Sequence, residues 1–301
     1  MLFVELASAE VVTALRRAGV RPILIKGPLQ QKWLAKAGPP RPSVDVDVLV
    51  DPADLPTTAT TLSALGYVLE PEVTPGVGHH AERWSSSTHL PVEVHWTLWG
   101  TDPDRTWPVL AQETETALIA AEEVEIPNEA ARCLLVALHA AHHGAGETAP
   151  VYDLERATTI ASRTSWERAL QLARDIGAEP AFATGLTLAS SGEALRLELG
   201  IDIQRLTERL ALNVAPPTPG APGYYWFARQ RGLRAKMAYV TSKVFPPAAF
   251  MRFKYPFARR GRGRLLLAYL YRILWLARWA WPGFVAWRRA RKAARGSFDR
   301  E

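Results

Sequence analysis

Cysteine is almost missing from this chain: one thiol, Cys133, in 301 residues. A lone cysteine closes no intramolecular disulfide and builds no cysteine-based zinc cage. It stands in the apolar run Cys133-Leu134-Leu135-Val136, which predicts a buried structural thiol rather than a nucleophile and fits a reduced, cytoplasmic compartment. Long apolar runs are missing too. The best candidate, 265–287, is interrupted by Arg272, Arg278 and Pro282, whereas a spanning helix needs about 20 predominantly apolar residues. Met1-Leu2-Phe3-Val4 meets Glu5 at once, without a basic n-region, so no signal peptide is expected. Neither an internal repeat nor a heptad array is visible. Acid is nearly absent from one end: residues 229–301 carry 19 Lys and Arg against only Asp299 and Glu301, a net +17, while the first 228 residues carry −11. That split predicts two bodies with different partners, or one body with a basic appendage.

What is present is an ordinary globular composition, 48% apolar and 22% charged, long enough for about two domains with a sizeable core. The opening reads as α/β. Leu6, Val11, Val12 and Leu15 mark an amphipathic helix ending at Gly19. A short strand, Pro22 to Ile25, runs into Lys26-Gly27, and Pro28 opens a helix to about Ala37. The clearest strand is Val44 to Val50. Asp51-Pro52 starts a helix ending near Gly66, residues 71–89 read as an irregular loop, and Leu90 to Trp96 returns to strand. After about residue 105 strand signals fade and helices follow, capped by Asn128 and Ser165. The expected division is an α/β domain over 1–126, a helical domain over 127–214, a Pro- and Gly-rich linker at 215–223, and a basic aromatic-rich helical tail over 224–301.

The informative segment is Arg41-Pro-Ser43-Val44-Asp45-Val46-Asp47-Val48-Leu49-Val50. Strand side chains alternate, so Asp45 and Asp47 share one face, about 7 Å apart, while Val44, Val46 and Val48 enter the core on the other. Two such carboxylates repel unless a cation sits between them. Magnesium suits the pair, because it takes hard oxygen ligands and completes its shell with substrate phosphates. Val92-Glu93-Val94-His95-Trp96 repeats the alternation. If the two strands are neighbours, Glu93 supplies a third carboxylate, and three acids suit two-metal phosphoryl or nucleotidyl transfer. The plainer reading of Asp-x-Asp is the solvated face of a half-exposed sheet. Lys26-Gly27, between a strand and a helix, offers a cation and backbone donors for phosphate.

Taken in order, Leu24-Ile25-Lys26-Gly27-Pro28-Leu29, Arg41-x-Ser43-x-Asp45-Val46-Asp47-Val48-Leu49-Val50, Leu65-Gly66-Tyr67 and Val92-Glu93-Val94-His95-Trp96 resemble the uncharacterised nucleotidyltransferase family of the DNA polymerase β-like superfamily. The likeness extends to His142-His143 and Asp153-Leu154. It implies an α+β fold, a small mixed sheet flanked by helices and followed by a helical region, with NTP and Mg²⁺ over the sheet. By that likeness Asp45, Asp47 and Glu93 are catalytic metal ligands, and Glu93 or Asp47 takes the acceptor's proton. Lys26 and Gly27 stand where the superfamily has a Gly-Ser phosphate-gripping turn, and a lysine cannot copy a serine hydroxyl. Arg41 and Ser43 are expected phosphate or ribose contacts. The resemblance leaves the acceptor open among small molecule, peptide and RNA, and the base of the NTP open, ATP included.

All seven histidines fall between residues 79 and 143. His139, His142 and His143 share a helix face, which permits a zinc or iron site, a capping role, or contact with nucleotide or acceptor. His142, His143 and His95 are taken as candidate contacts of that last kind, and His79, His80 and His89 as lining a lid or a plain solvated loop. In the tail, arginines interleave with Tyr224-Tyr225-Trp226-Phe227, Phe250, Phe253, Tyr255, Phe257, Trp275, Trp279, Trp281 and Trp287. These suit a helical core, an anionic membrane surface met peripherally, or a nucleic acid. The alternative to an enzyme is a catalytically weak binding module that holds RNA, an anionic membrane or a peptide through its tail.

Overall fold

The computed structural model describes residues 2–39, 41, 43–71, 80–202 and 207–296. It divides into two compact units, one of residues 1–70 and 80–204, the other of 71–79 and 205–301. The first unit is built on a seven-stranded mixed sheet in the order β3-β4-β5-β2-β1-β7-β6. Its strands are β1 (Ile23–Leu24), β2 (Val46–Leu49), β3 (Val68–Leu69), β4 (Ala81–Ser85), β5 (Val92–His95), β6 (Thr114–Ile119) and β7 (Glu122–Pro127). Its helices are α1 (Leu2–Arg17), α2 (Pro28–Leu34), α3 (Leu55–Ala64), α4 (Pro103–Leu110), α5 (Glu129–His143), α6 (Thr148–Ile160), α7 (Arg163–Asp175), α8 (Glu179–Leu186) and α9 (Ser190–Glu198). The fold is α+β.

At the sheet's centre β2 runs parallel to β5 and antiparallel to β1. The valines that alternate along β2 and β5, Val46, Val48, Val92 and Val94, pack against Val11, Val12 and Leu15 of α1 and Leu62 of α3. That leaves the opposite face of β2 and β5 for polar groups. Val44 lies outside the strand and is 64% exposed, so its expected place in the core is corrected: β2 begins two residues later, at Val46.

Two further expectations change. The loop reading of 71–89 fails over β4, which pairs antiparallel with β5 and places Arg83 opposite Glu93; residues 72–79, His79 among them, lie outside the described residues. The fading of strand signals after residue 105 missed the β6–β7 hairpin. Its two-residue turn is Ala120-Ala121, at φ 48° and 68°. Hairpin turns of this kind favour Asn-Gly or Asp-Gly, and without them the sequence carries no turn signal. Asn128 caps α5 as expected, its side chain accepting from the Ala131 amide. The cap of α7 is Ser162, which accepts from the Ser165 amide, so Ser165 lies inside the helix rather than before it.

The second unit is helical: α10 (Glu208–Val214), α11 (Ala221–Arg229), α12 (Leu233–Val244), α13 (Ala248–Lys254) and the 35-residue α14 (Arg262–Gly296). Phe250, Met251, Ala258 and Ala268 form a core there with Tyr255, Leu265 and Tyr269. The Trp287 indole donates to Glu208, fastening α14 to α10. Among the described residues, no helix is long and apolar enough to cross a membrane.

Candidate active site

The parallel pairing of β2 with β5 sets Asp47 beside Glu93. Both side chains leave the sheet on the face away from α1, as alternation requires. Asp47 is only 2% exposed. Two nitrogens meet its Oδ1: Lys26 Nζ, from the end of β1, donates at 3.1 Å, and His95 Nε2, from the end of β5, lies at 3.0 Å. Burial opposes the charge on Asp47, yet Lys26 and the His95 bond outweigh it and hold its carboxyl well below the usual range. The same contacts act in reverse on their partners. Desolvation pulls Lys26 and His95 down, but the carboxylates overcome it and raise both.

Glu93 is held low chiefly by its bond to His95, whose Nε2 lies 3.5 Å from Glu93 Oε2. From β4, Arg83 Nη1 donates to Glu93 Oε1 at 3.1 Å, and its Nε lies 3.4 Å from Glu70. Asp45 sits just before β2, partly buried. Desolvation, then repulsion from Asp47 and Glu93, raises its pKa. The acid cluster therefore carries unrelieved repulsion at Asp45 while Asp47 is already paired. Among the described residues, the donor atoms close enough to share one ion belong to Asp47, Glu93 and His95, within 4.8 Å of one another. His139, His142 and His143 do not meet as such a set.

A cavity of about 200 Å³ opens beside the cluster, lined by Lys26, Gly27, Arg41, Ser43, Asp45 and Asp47 from the sheet side and by His139, His143, Glu147 and Asp153 from the helical side. Gly27 caps α2 at φ 96°, a backbone state that favours glycine. The Ser43 hydroxyl donates to the Asp45 carbonyl at 3.3 Å, and Arg41 Nη2 donates to Asp153 Oδ2 at 2.7 Å. His143 Nδ1 lies 2.8 Å from Glu147. A smaller cavity, about 40 Å³, lies between Lys26, His95, Trp99 and the α5 residues His139 and His142. There the His142 ring stacks on Trp99 and meets His80, which in turn faces His95. Burial, then Lys26 and His143, pushes His139 well below the usual imidazole range, so it stands neutral between the cavities. His89 packs on Tyr67 and bonds Ser86 and Thr88 instead.

The ten residues singled out from the sequence thus distribute over one region. Lys26, Asp47, Glu93 and His95 touch. Gly27, Arg41, Ser43, Asp45 and His143 line the larger cavity, and His142 lines the smaller one. Sequence reasoning missed Arg83 and Glu147, and it met Asp153 only as part of the family resemblance, without a role. Arg83 was findable, since β-strand alternation across 81–85 puts it opposite an acid; Asp153 and Glu147 reach the cavity through tertiary packing that no spacing announces.

The site thus sets acids on adjacent strands of a mixed sheet, with the Lys26-Gly27 turn entering α2 beside them. The chain belongs to the uncharacterised nucleotidyltransferase family, whose model matches residues 3–191. It is accordingly an enzyme that uses a nucleotide. Among solved structures it is similar to the lincosamide antibiotic adenylyltransferase LnuA bound to lincomycin (13% identity over 52% of this chain and 96% of that one, TM-score 0.38). It is also similar to the antibiotic-resistance factor ANT(2'')-Ia (13%, 56% and 91%, TM-score 0.42) and to an antigenic nucleotidyltransferase-like protein from Paracoccidioides brasiliensis (16%, 62% and 93%, TM-score 0.38). A comparison with curated proteins finds no match.

Proposed function

We propose that the enzyme transfers a nucleoside monophosphate from an NTP to an acceptor nucleophile, with release of pyrophosphate, and that Mg²⁺ serves the reaction. The observation that carries this is the register of β2 against β5, which puts Glu93 beside Asp47, and Asp47 in turn lines a cavity furnished with Asp45, Lys26 and Arg41. The donor set of carboxylate oxygens from Asp47 and Glu93 with the imidazole of His95 suits a divalent cation, and Asp45, two residues from Asp47, is under repulsion that a positive ion relieves. Bound there, magnesium would supply Lewis-acid polarisation of the triphosphate and charge neutralisation.

The chain's own residues do the rest. Lys26 and Arg41 offer positive charge to the phosphates, and Gly27 lets the backbone come close to them. The acceptor oxygen forms a bond to the α-phosphorus as the bond to the pyrophosphate oxygen breaks in line. Glu93 or Asp47 takes the acceptor's proton. His142 and His143, on the helical wall, contact the acceptor or the nucleotide. Incubation with α-labelled NTPs and cell extract identifies the labelled fraction. Asp47→Asn should cut transfer more than about a hundredfold; equal labelling by this variant and the native enzyme would end the proposal.

A further inference from the structure

The outer face of α14 is built for a surface other than water. Leu266, Leu267, Leu270, Ile273, Leu274 and Trp281 are each between 38% and 72% exposed. At 3.6 residues per turn they fall within an arc of roughly 120° and run roughly 23 Å along the helix. The opposite side is the packed one: Ala268, Trp287 and Ala290 are buried, and the buried Arg272 donates inward to the Lys243 carbonyl at 2.7 Å. One of the two arginines that interrupt the apolar run is therefore turned away from the exposed stripe. Farther along, the same arc becomes basic, with Arg288, Lys292 and Arg295 all exposed. No acid lies anywhere on α14. On α12, Leu233, Met237 and Val240 repeat the pattern of exposed apolar residues at helical spacing.

Ordinary soluble helices put charge on the outer face. An apolar stripe continued by cations matches a surface with hydrocarbon beneath a layer of negative charge. We infer that the 205–301 unit docks in the plane of an anionic lipid bilayer, with the stripe entering the acyl boundary and the cations of 288–295 meeting headgroup phosphates. The helix lies on the bilayer and does not cross it. Nucleic acid matches less well, because phosphates and bases offer nothing to a mainly aliphatic stripe, and stacking platforms need aromatic faces. A second copy matches less well still, since two strongly cationic faces would oppose each other.

The full chain is to be sedimented with vesicles of phosphatidylcholine alone and with vesicles containing one-third phosphatidylglycerol. Retention on the anionic vesicles should exceed that on neutral ones about tenfold and fall as salt is raised. L270E with L274E should abolish retention without altering secondary structure, because both side chains face outward; R288A with K292A should weaken it and flatten the salt dependence. Brominated acyl chains should quench tryptophan emission, and W281F should reduce the quenched share. Equal retention on neutral vesicles, or of the L270E/L274E variant, overturns the inference. So does binding of single-stranded RNA in place of vesicles, or a native dimer that L270E/L274E turns into a monomer while neither form sediments with lipid.

Discussion

Asp47 keeps its charge at 2% exposure because Lys26 and His95 both reach it. Such an interior carboxylate is legible in sequence only as one half of Asp-x-Asp; which of the two acids sinks and which stays at the rim depends on where β2 starts, and Val44 misplaced that by two residues. Asp153 entered the sequence reading only through the family resemblance, and its place at the cavity came from the structure. It is buried, bonds Arg41, and its Oδ1 has no partner among the described residues. Its carboxylate holds Arg41, and both line the cavity, so a positioning role is proposed for it. Asp153→Asn should raise the KM for NTP about tenfold with kcat nearly unchanged, and Asp153→Glu should restore part of it; a loss of kcat alone would contradict this. Cys133 behaves as its apolar run predicts. It is fully buried, and burial pushes its thiol far up. A thiol-specific dye at pH 8 should leave the native protein unlabelled and titrate one thiol after denaturation.

Elements were legible where alternation and caps agree. β2, β5, α2 and the Asn128 cap of α5 follow from residues a reader can point to. The β6–β7 hairpin was hidden because its turn is made by two alanines held at positive φ. Each such residue costs about 1 kcal/mol, so Ala120→Asn with Ala121→Gly should stabilise the first unit by about 1–2 kcal/mol, read by urea denaturation. A fall in stability would show that the turn is not of that type. The crossing of α5 and α8 is set by Gly185, where an added Cβ would lie 2.0 Å from the Ala137 carbonyl oxygen. Gly185→Ala should therefore cost on the order of 3 kcal/mol by forcing the helices apart. That wall carries His139, His142 and His143, so the cavity should suffer with it. Nothing in the local sequence marks this glycine as different from its neighbours; only the partner helix does.

At the scale of the whole molecule, composition shows a charge split at residue 229, while the compact units divide near residue 205. The two units have separate hydrophobic cores, one around the sheet and one around Phe250 and Met251. Calorimetry should accordingly resolve two transitions. Mg²⁺ with the preferred NTP should raise only the one belonging to the sheet unit, by about 2.7 kcal/mol at a hundredfold excess over Kd, whereas a single concerted transition would show that the cores melt together. An internal ammonium and imidazole already sit against Asp47, so on the proposed mechanism they hold the place the ion would take. Chelation should then silence transfer while leaving the melting profile where it was. Under that proposal, an enzyme arranged this way would fold and wait in a metal-poor setting and become active when nucleotide brings its ion along.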